Sequence, residues 1–188
     1  MLLSEQIDDL LAAGLDRINI SLDTLREETF RKLSRRDGID QVVKGIESAI
    51  QRGLKPRLNA LILRDINFEE AADLVQFAFE RQLTLRFIEF MPLDQDRSWS
   101  ESRMVSGDEL RERLQQTLGP IEPMDRERDS QPAQDYRVMR WNAPVGFIDP
   151  VSHPFCGNCD RLRLTAEGKI RNCLFGREEW DVKHLLDT

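Results

Sequence analysis

The chain has 188 residues, 40% of them hydrophobic and 32% charged, with a net charge of −7 at neutral pH. That length and apolar share suit an ordinary globular core, and the mixed charge contains no polybasic run to track a nucleic-acid backbone or an anionic membrane. No apolar run is long enough to span a bilayer, and residues 1–5 have neither a basic n-region nor a continuous h-region, so a cytoplasmic protein with no nucleic-acid or membrane partner is expected.

Taken in chain order, the pattern alternates helix and strand. Ile7, Leu10 and Leu11 lie at helical spacing behind Ser4 as N-cap, with Gly14 as the stop. Residues 17–22 read as a strand, and Thr24 with Glu27 has the spacing of a capping box for the next helix. Ile39, Val42, Val43, Ile46, Ala49 and Ile50 mark a longer helix closed by Gly53, after which Pro56 opens a strand over 57–63. Asn67 and Glu70 offer another capping box, for a helix carrying Ala71, Leu74, Val75, Ala78 and Phe79, and residues 85–90 form the third strand, ended by Pro92. Strands joined by helices of this length imply parallel pairing through right-handed crossovers. A closed eight-stranded barrel takes about 250 residues, so only part of one is expected here.

From Asp94 to Gln134 the composition turns polar, apart from a helix capped by Ser106 and Glu109 and carrying Leu110, Leu114 and Leu118. Residues 126–132 read as a mobile, solvated loop. Beyond it, residues 136–141, 145–148, 161–165 and 169–172 look like short antiparallel strands, the last two joined by a turn at 166–168. The expected division is therefore 1–93 and 94–188.

All three cysteines fall in one pattern, Cys156-x2-Cys159-x13-Cys173. The x2 loop lets two thiols bind one metal centre, and the following hairpin brings back the third. Three thiolates suit either a zinc site with a fourth ligand, for which His153 is available, or an iron–sulfur cluster with one open iron. Arg161 and Arg163 follow at once. On a strand, alternation puts both guanidiniums on one face roughly 6.5 Å apart, with Leu162 and Leu164 buried on the other. Such forks bind phosphate or carboxylate through two hydrogen bonds. Glu89 at the end of the third strand is a weaker candidate, expected to pair with an arginine such as Arg86, and no catalytic acid or base is assigned. His184 reads as a surface residue, and Trp99, Trp141 and Trp180 read as packing.

The stretch from Cys156 to Phe175 resembles the C-terminal cluster motif of the radical S-adenosylmethionine GTP 3′,8-cyclases, the molybdenum cofactor biosynthesis protein A family. Residues 17–23 and 85–91 are similar to that family's barrel strands, in the same order and at similar spacing. The resemblance covers nearly the whole chain. It implies an α/β fold, part of an incomplete TIM-like (βα) barrel followed by a small antiparallel region carrying a 4Fe–4S cluster. It also implies a lyase that converts GTP to (8S)-3′,8-cyclo-7,8-dihydroguanosine 5′-triphosphate.

By the same resemblance Cys156, Cys159 and Cys173 would hold the auxiliary 4Fe–4S cluster, whose open iron meets the guanine of GTP. Arg161 and Arg163 would bind GTP, as would Arg57, which stands where the family has a lysine. Ser21 and Met91 would contribute to the S-adenosylmethionine site. The family's N-terminal C-x3-C-x2-C loop, which carries the radical-generating second 4Fe–4S cluster, has no counterpart in these 188 residues, nor has its C-terminal tail. A fragment is therefore expected, inactive by itself, whose partners are GTP and either a separate N-terminal fragment or a second copy. The alternatives are a structural zinc module, in which His153 completes the cysteine set, and a non-catalytic partner subunit.

Overall fold

The computed structural model describes residues 2–93, 99–126 and 128–185. It divides into two compact units, Met1–Arg126 with Ala133–Pro154, and Glu127–Pro132 with Phe155–Thr188.

The larger unit is a six-stranded mixed sheet in the order β1-β2-β3-β6-β5-β4, with helices α1 to α5. Its strands are β1 (Asn19–Ser21), β2 (Arg57–Leu61), β3 (Thr84–Ile88), β4 (Ile121–Pro123), β5 (Gln134–Val138) and β6 (Ala143–Ile148). β1, β2, β3 and β6 run parallel, whereas β5 and β4 continue antiparallel from β6. The expectation of an all-antiparallel C-terminal set thus fails at β6. Val145 and Phe147 carry the same inward apolar alternation as Leu85 and Phe87, which lets β6 extend the parallel sheet. β4 was not anticipated, and of the polar segment expected from Asp94 onward, residues 94–98 lie outside the described residues, as does residue 127 of the expected loop.

The helices are α1 (Leu3–Ala12), α2 (Glu27–Ser34), α3 (Ile39–Gln51), α4 (Ala71–Glu80) and α5 (Gly107–Leu118). The core joins Leu58, Ala60, Leu85, Phe87, Val145 and Phe147 of the sheet to Ile46, Leu74, Ala78, Leu110, Leu114 and Leu118 of the helices. Leu110, Leu114 and Leu118 repeat every four residues, so one stripe of α5 is buried. Ile7 of α1 packs with Ala49 and Leu54 in a separate cluster. The tryptophans of this unit are structural, as expected: Trp141 stacks on Phe79 at 4.8 Å, and Trp99 Nε1 donates to the Phe90 carbonyl.

One of the anticipated caps forms. Ser106 Oγ accepts from the Glu109 amide at 3.3 Å. Ser4 lies inside α1, which starts at Leu3 with no side-chain cap. Thr24 donates to the buried Glu70 instead of capping α2, and Glu27 reaches forward to accept from the Gly38 and Ile39 amides at 2.9 and 3.0 Å, closing the start of α3. Asn67 bonds Leu63 N, Asp23 O and Leu61 O, while Glu70 accepts from Thr24 and Thr29. Buried polar side chains are costly to leave unbonded, and tertiary partners here outcompete the local cap.

The smaller unit is a three-stranded antiparallel sheet in the order β7 (Arg163–Leu164), β8 (Lys169–Arg171) and β9 (Trp180–Asp181). Gly168, at φ 80°, makes the β7–β8 turn where a side chain would be strained. The register aligns Leu164, Ile170 and Trp180 across one face.

Candidate functional site

Two groups of candidate residues fall in different units. In the larger unit, Ser21 pairs with Asn59, Asn59 with Arg86, Arg86 with Gly146, and Gly146 with Asp135, so these five positions form one transverse row on the sheet face opposite the aromatic and aliphatic core. Arg57 lies on the same face two residues before Asn59, about 6.6 Å along the strand. Ser21 and Arg57 are exposed, and Met91 is half-buried just past β3. Arg86 Nε is buried without a hydrogen-bond partner among the described residues. A Cβ on Gly146 would stand 2.7 Å from Asp135 Oδ1 and 3.0 Å from Arg86 Cγ, so glycine is what allows these side chains across β6. Asn59 and Arg86, which the sequence reading does not count as site candidates, share the row of Ser21. Their signal was a polar residue at alternate positions of otherwise apolar strands.

Glu89 is 3% exposed and is not paired with Arg86. Its Oε2 accepts from the Val151 and Ser152 amides at 2.9 and 3.0 Å, and its Oε1 from the Gly107 amide at 3.3 Å and from Ser152 Oγ. It therefore ties the end of β3 to the start of α5 and to the turn after β6. Burial, and then the Glu89 charge, hold the Asp149 carboxyl above the usual carboxylate range. Burial likewise raises Asp23, against the Leu61 amide that donates to it at 2.7 Å. His153 has Nδ1 3.2 Å from Ser152 Oγ and Nε2 3.3 Å from Asp108, so both ring nitrogens face partners other than a thiol.

In the smaller unit, Cys156 opens a 3₁₀ turn, Cys156–Asn158, and Cys159 closes it by donating its amide to the Cys156 carbonyl at 3.2 Å. The β7–β8 hairpin forms as expected, and its register, which pairs Arg163 with Arg171, directs Cys173 back toward the residues after Cys159. All three thiols are free. Among the described residues, however, no three His, Cys, Asp or Glu side chains converge closely enough to hold a metal ion, so the corner is an open donor set. Its chemistry fits a soft metal group: three unpaired thiols, two of them joined by one turn, with cationic neighbours. Final convergence of ligands commonly accompanies metal binding.

Arg161 and Arg163 keep the expected alternation with Leu162 and Leu164, but burial is inverted. The leucines are 69% and 64% exposed, and the arginines are the better covered residues, because no second layer of the described residues in this unit packs on the leucine face. β7 starts only at Arg163. Arg161 Cζ lies 4.9 Å from the Phe155 ring centroid, and its Nε donates to Cys159 Sγ at 3.3 Å. The Arg161 backbone N–H, and then its guanidinium, hold the Cys159 thiol below its ordinary pKa, which favours the thiolate that metals bind. Arg171 and Lys169 are taken up by Glu179, whereas Arg163 has no carboxylate partner among the described residues. His184 is exposed in a short 3₁₀ turn, as the sequence suggests.

Residues 83–188 match the family described as Molybdenum Cofactor Synthesis C, and residues 1–78 match the Radical SAM superfamily. The chain is 47% identical over 189 residues to a GTP 3′,8-cyclase of Rhodopirellula baltica, covering 99% of this chain and 53% of that protein. It is 46% identical over 196 residues to a GTP 3′,8-cyclase of Paenarthrobacter nicotinovorans, covering 98% and 55% respectively. Over 186 residues it is 37% identical to the molybdenum cofactor biosynthesis protein 1 of Drosophila melanogaster, of which it covers 33%. The chain thus spans about half the length of the bacterial relatives it matches. Among the described residues, no helix is long and apolar enough to cross a membrane.

Proposed function

Because the chain belongs to the Molybdenum Cofactor Synthesis C family, we propose that it supplies the substrate-holding and auxiliary-cluster part of a GTP 3′,8-cyclase in molybdenum cofactor biosynthesis. The observation that carries this reading is the set of three free thiols, one of them bonded to Arg161, inside the segment matched by the family. By role, residues 1–93 supply strands of a partial TIM-like barrel and residues 94–188 the substrate and cluster region, a division that differs from the division by packing.

Cys156, Cys159 and Cys173 would hold a 4Fe–4S group. Bound there, it would supply an open iron toward the guanine of GTP, while S-adenosylmethionine and a second 4Fe–4S cluster of the complete enzyme would supply the 5′-deoxyadenosyl radical. The chain's own work is to bind and orient. Arg161 and Arg163 offer guanidinium edges to the substrate's phosphates, where two parallel hydrogen bonds fix orientation as well as charge. Arg57 and Arg86 supply positive charge to the sheet face that also carries Asp135. Ser21 presents a hydroxyl on that face, and Met91 a polarisable side chain at the end of β3, toward S-adenosylmethionine. The product, (8S)-3′,8-cyclo-7,8-dihydroguanosine 5′-triphosphate, requires C3′ of the ribose to meet C8 of the purine, so holding base and phosphates together lowers the barrier by proximity.

Anaerobic reconstitution with iron and sulfide tests the reading. About four irons per chain are expected, with an electron paramagnetic resonance spectrum altered by GTP. A Cys156→Ser, Cys159→Ser double variant should lose iron and sulfide together. One zinc per chain and no sulfide would make the cysteine corner a structural module instead. A partner, either a separate N-terminal fragment or a second copy, belongs to the same reading, and light scattering across a concentration series tests the second copy.

A further inference from the structure

Arg161 meets the Cys159 sulfur through its Nε–H, at 3.3 Å. The guanidinium is also held from the side by the Phe155 ring, 4.9 Å from Cζ. Phe155 and Cys159 flank the 3₁₀ turn Cys156–Asn158, so the turn itself fixes both contacts. Held in this way, the guanidinium has a defined direction, with Nε toward the sulfur and the edge carrying the two Nη groups without a protein partner among the described residues.

A hydrogen bond to a metal-bound thiolate withdraws electron density from the sulfur and favours the more reduced, more negative state of the metal group. We propose that Arg161 is a positioning residue for Cys159, holding and tuning the thiolate through Nε–H while its Nη edge takes the substrate's anionic group, so that one guanidinium couples substrate binding to the potential of the metal group. The inference rests on the cluster reading above. Lysine cannot substitute, because it has a methylene where arginine has Nε–H and its single terminal ammonium cannot bond the sulfur and present a separate donor edge at once.

The test is a reductive titration, followed by electron paramagnetic resonance, of the iron- and sulfide-reconstituted chain as wild type, Arg161→Leu, Arg161→Lys and Phe155→Leu. Both Arg161 variants should retain the iron content of the wild type and titrate at a lower midpoint potential. Phe155→Leu should shift the same way by less, since it only loosens the guanidinium, and it carries the test if the Arg161 variants load poorly. A wild-type potential in Arg161→Leu overturns the proposal, as does restoration by Arg161→Lys, which would leave charge alone as the agent. Failure of the cluster reading is seen separately, as wild-type protein without iron and sulfide. In that event cobalt(II) on the same thiols reports on the sulfur. A sulfur-to-cobalt charge-transfer band displaced in Arg161→Leu supports the role, and an unchanged band refutes it.

Discussion

Replacing Glu89 by glutamine should unfasten three segments of the larger unit at once. The carboxylate accepts from the Gly107, Val151 and Ser152 amides and from the Ser152 hydroxyl, and at 3% exposure water cannot stand in for it. Glutamine keeps one oxygen and turns an NH2 group toward donors, so two charge-assisted bonds are lost, each worth about 1.5–3 kcal/mol. Part of that loss is offset, because the buried charge beside Asp149 also disappears. The net destabilisation should be about 3 kcal/mol, which for a unit of this size lowers Tm by about 6–12 °C. Thermal unfolding at pH 7 in a Trp180→Phe background isolates the larger unit, whose tryptophans are Trp99 and Trp141. A shift below about 2 °C would refute the claim that Glu89 organises the junction.

Three further outcomes follow from the same geometry. Asp23→Asn should leave stability at pH 7 unchanged or higher, since the amide oxygen still accepts from Leu61 N while the cost of a buried charge vanishes. Because burial raises the folded-state pKa of Asp23 above its unfolded 3.8, the wild type binds more protons folded than unfolded in that window, so its contribution is complete below 3.8 and is lost as pH rises through the folded value. Urea midpoints from pH 4 to 7 should therefore fall less steeply in the variant, and parallel curves would count against the burial argument. Gly146→Ala should cost about 1–3 kcal/mol in chemical denaturation, because its Cβ would press on Asp135 and Arg86. Arg163→Ala should weaken GTP binding to the reconstituted chain about tenfold by calorimetry, the loss of one charge-assisted contact, and unchanged affinity would remove Arg163 from the substrate site.

Periodicity made the helices and the first three strands legible within a residue or two, because a helix such as α5 announces its buried stripe at Leu110, Leu114 and Leu118. Caps were less legible. Thr24, Glu27, Asn67 and Glu70 have local spacings that suggest helix starts, yet each is claimed by a group 11 to 46 residues away or by a loop, and sequence spacing carries no record of such partners. The direction of β6 was hidden for a similar reason. Its apolar alternation fixes which face is buried, but whether it runs parallel to β3 depends on the path of the chain through α5 and β5. At the cysteine corner the spacing of the thiols and the hairpin could be read directly. The exposure of Leu162 and Leu164 could not, because alternation separates two faces without saying which one is covered.

β6 occupies the position between β3 and β5, although α5, β4 and β5 all intervene in the chain between β3 and β6. During synthesis, β3 therefore emerges long before its parallel neighbour and keeps a bare edge of backbone donors and acceptors until residue 148 has left the ribosome. Pairing across so wide a sequence gap is slow, and an apolar strand with an open edge invites the wrong strand in the meantime. Yield on overproduction should respond to translation rate and chaperone supply more than to the stability of the finished sheet.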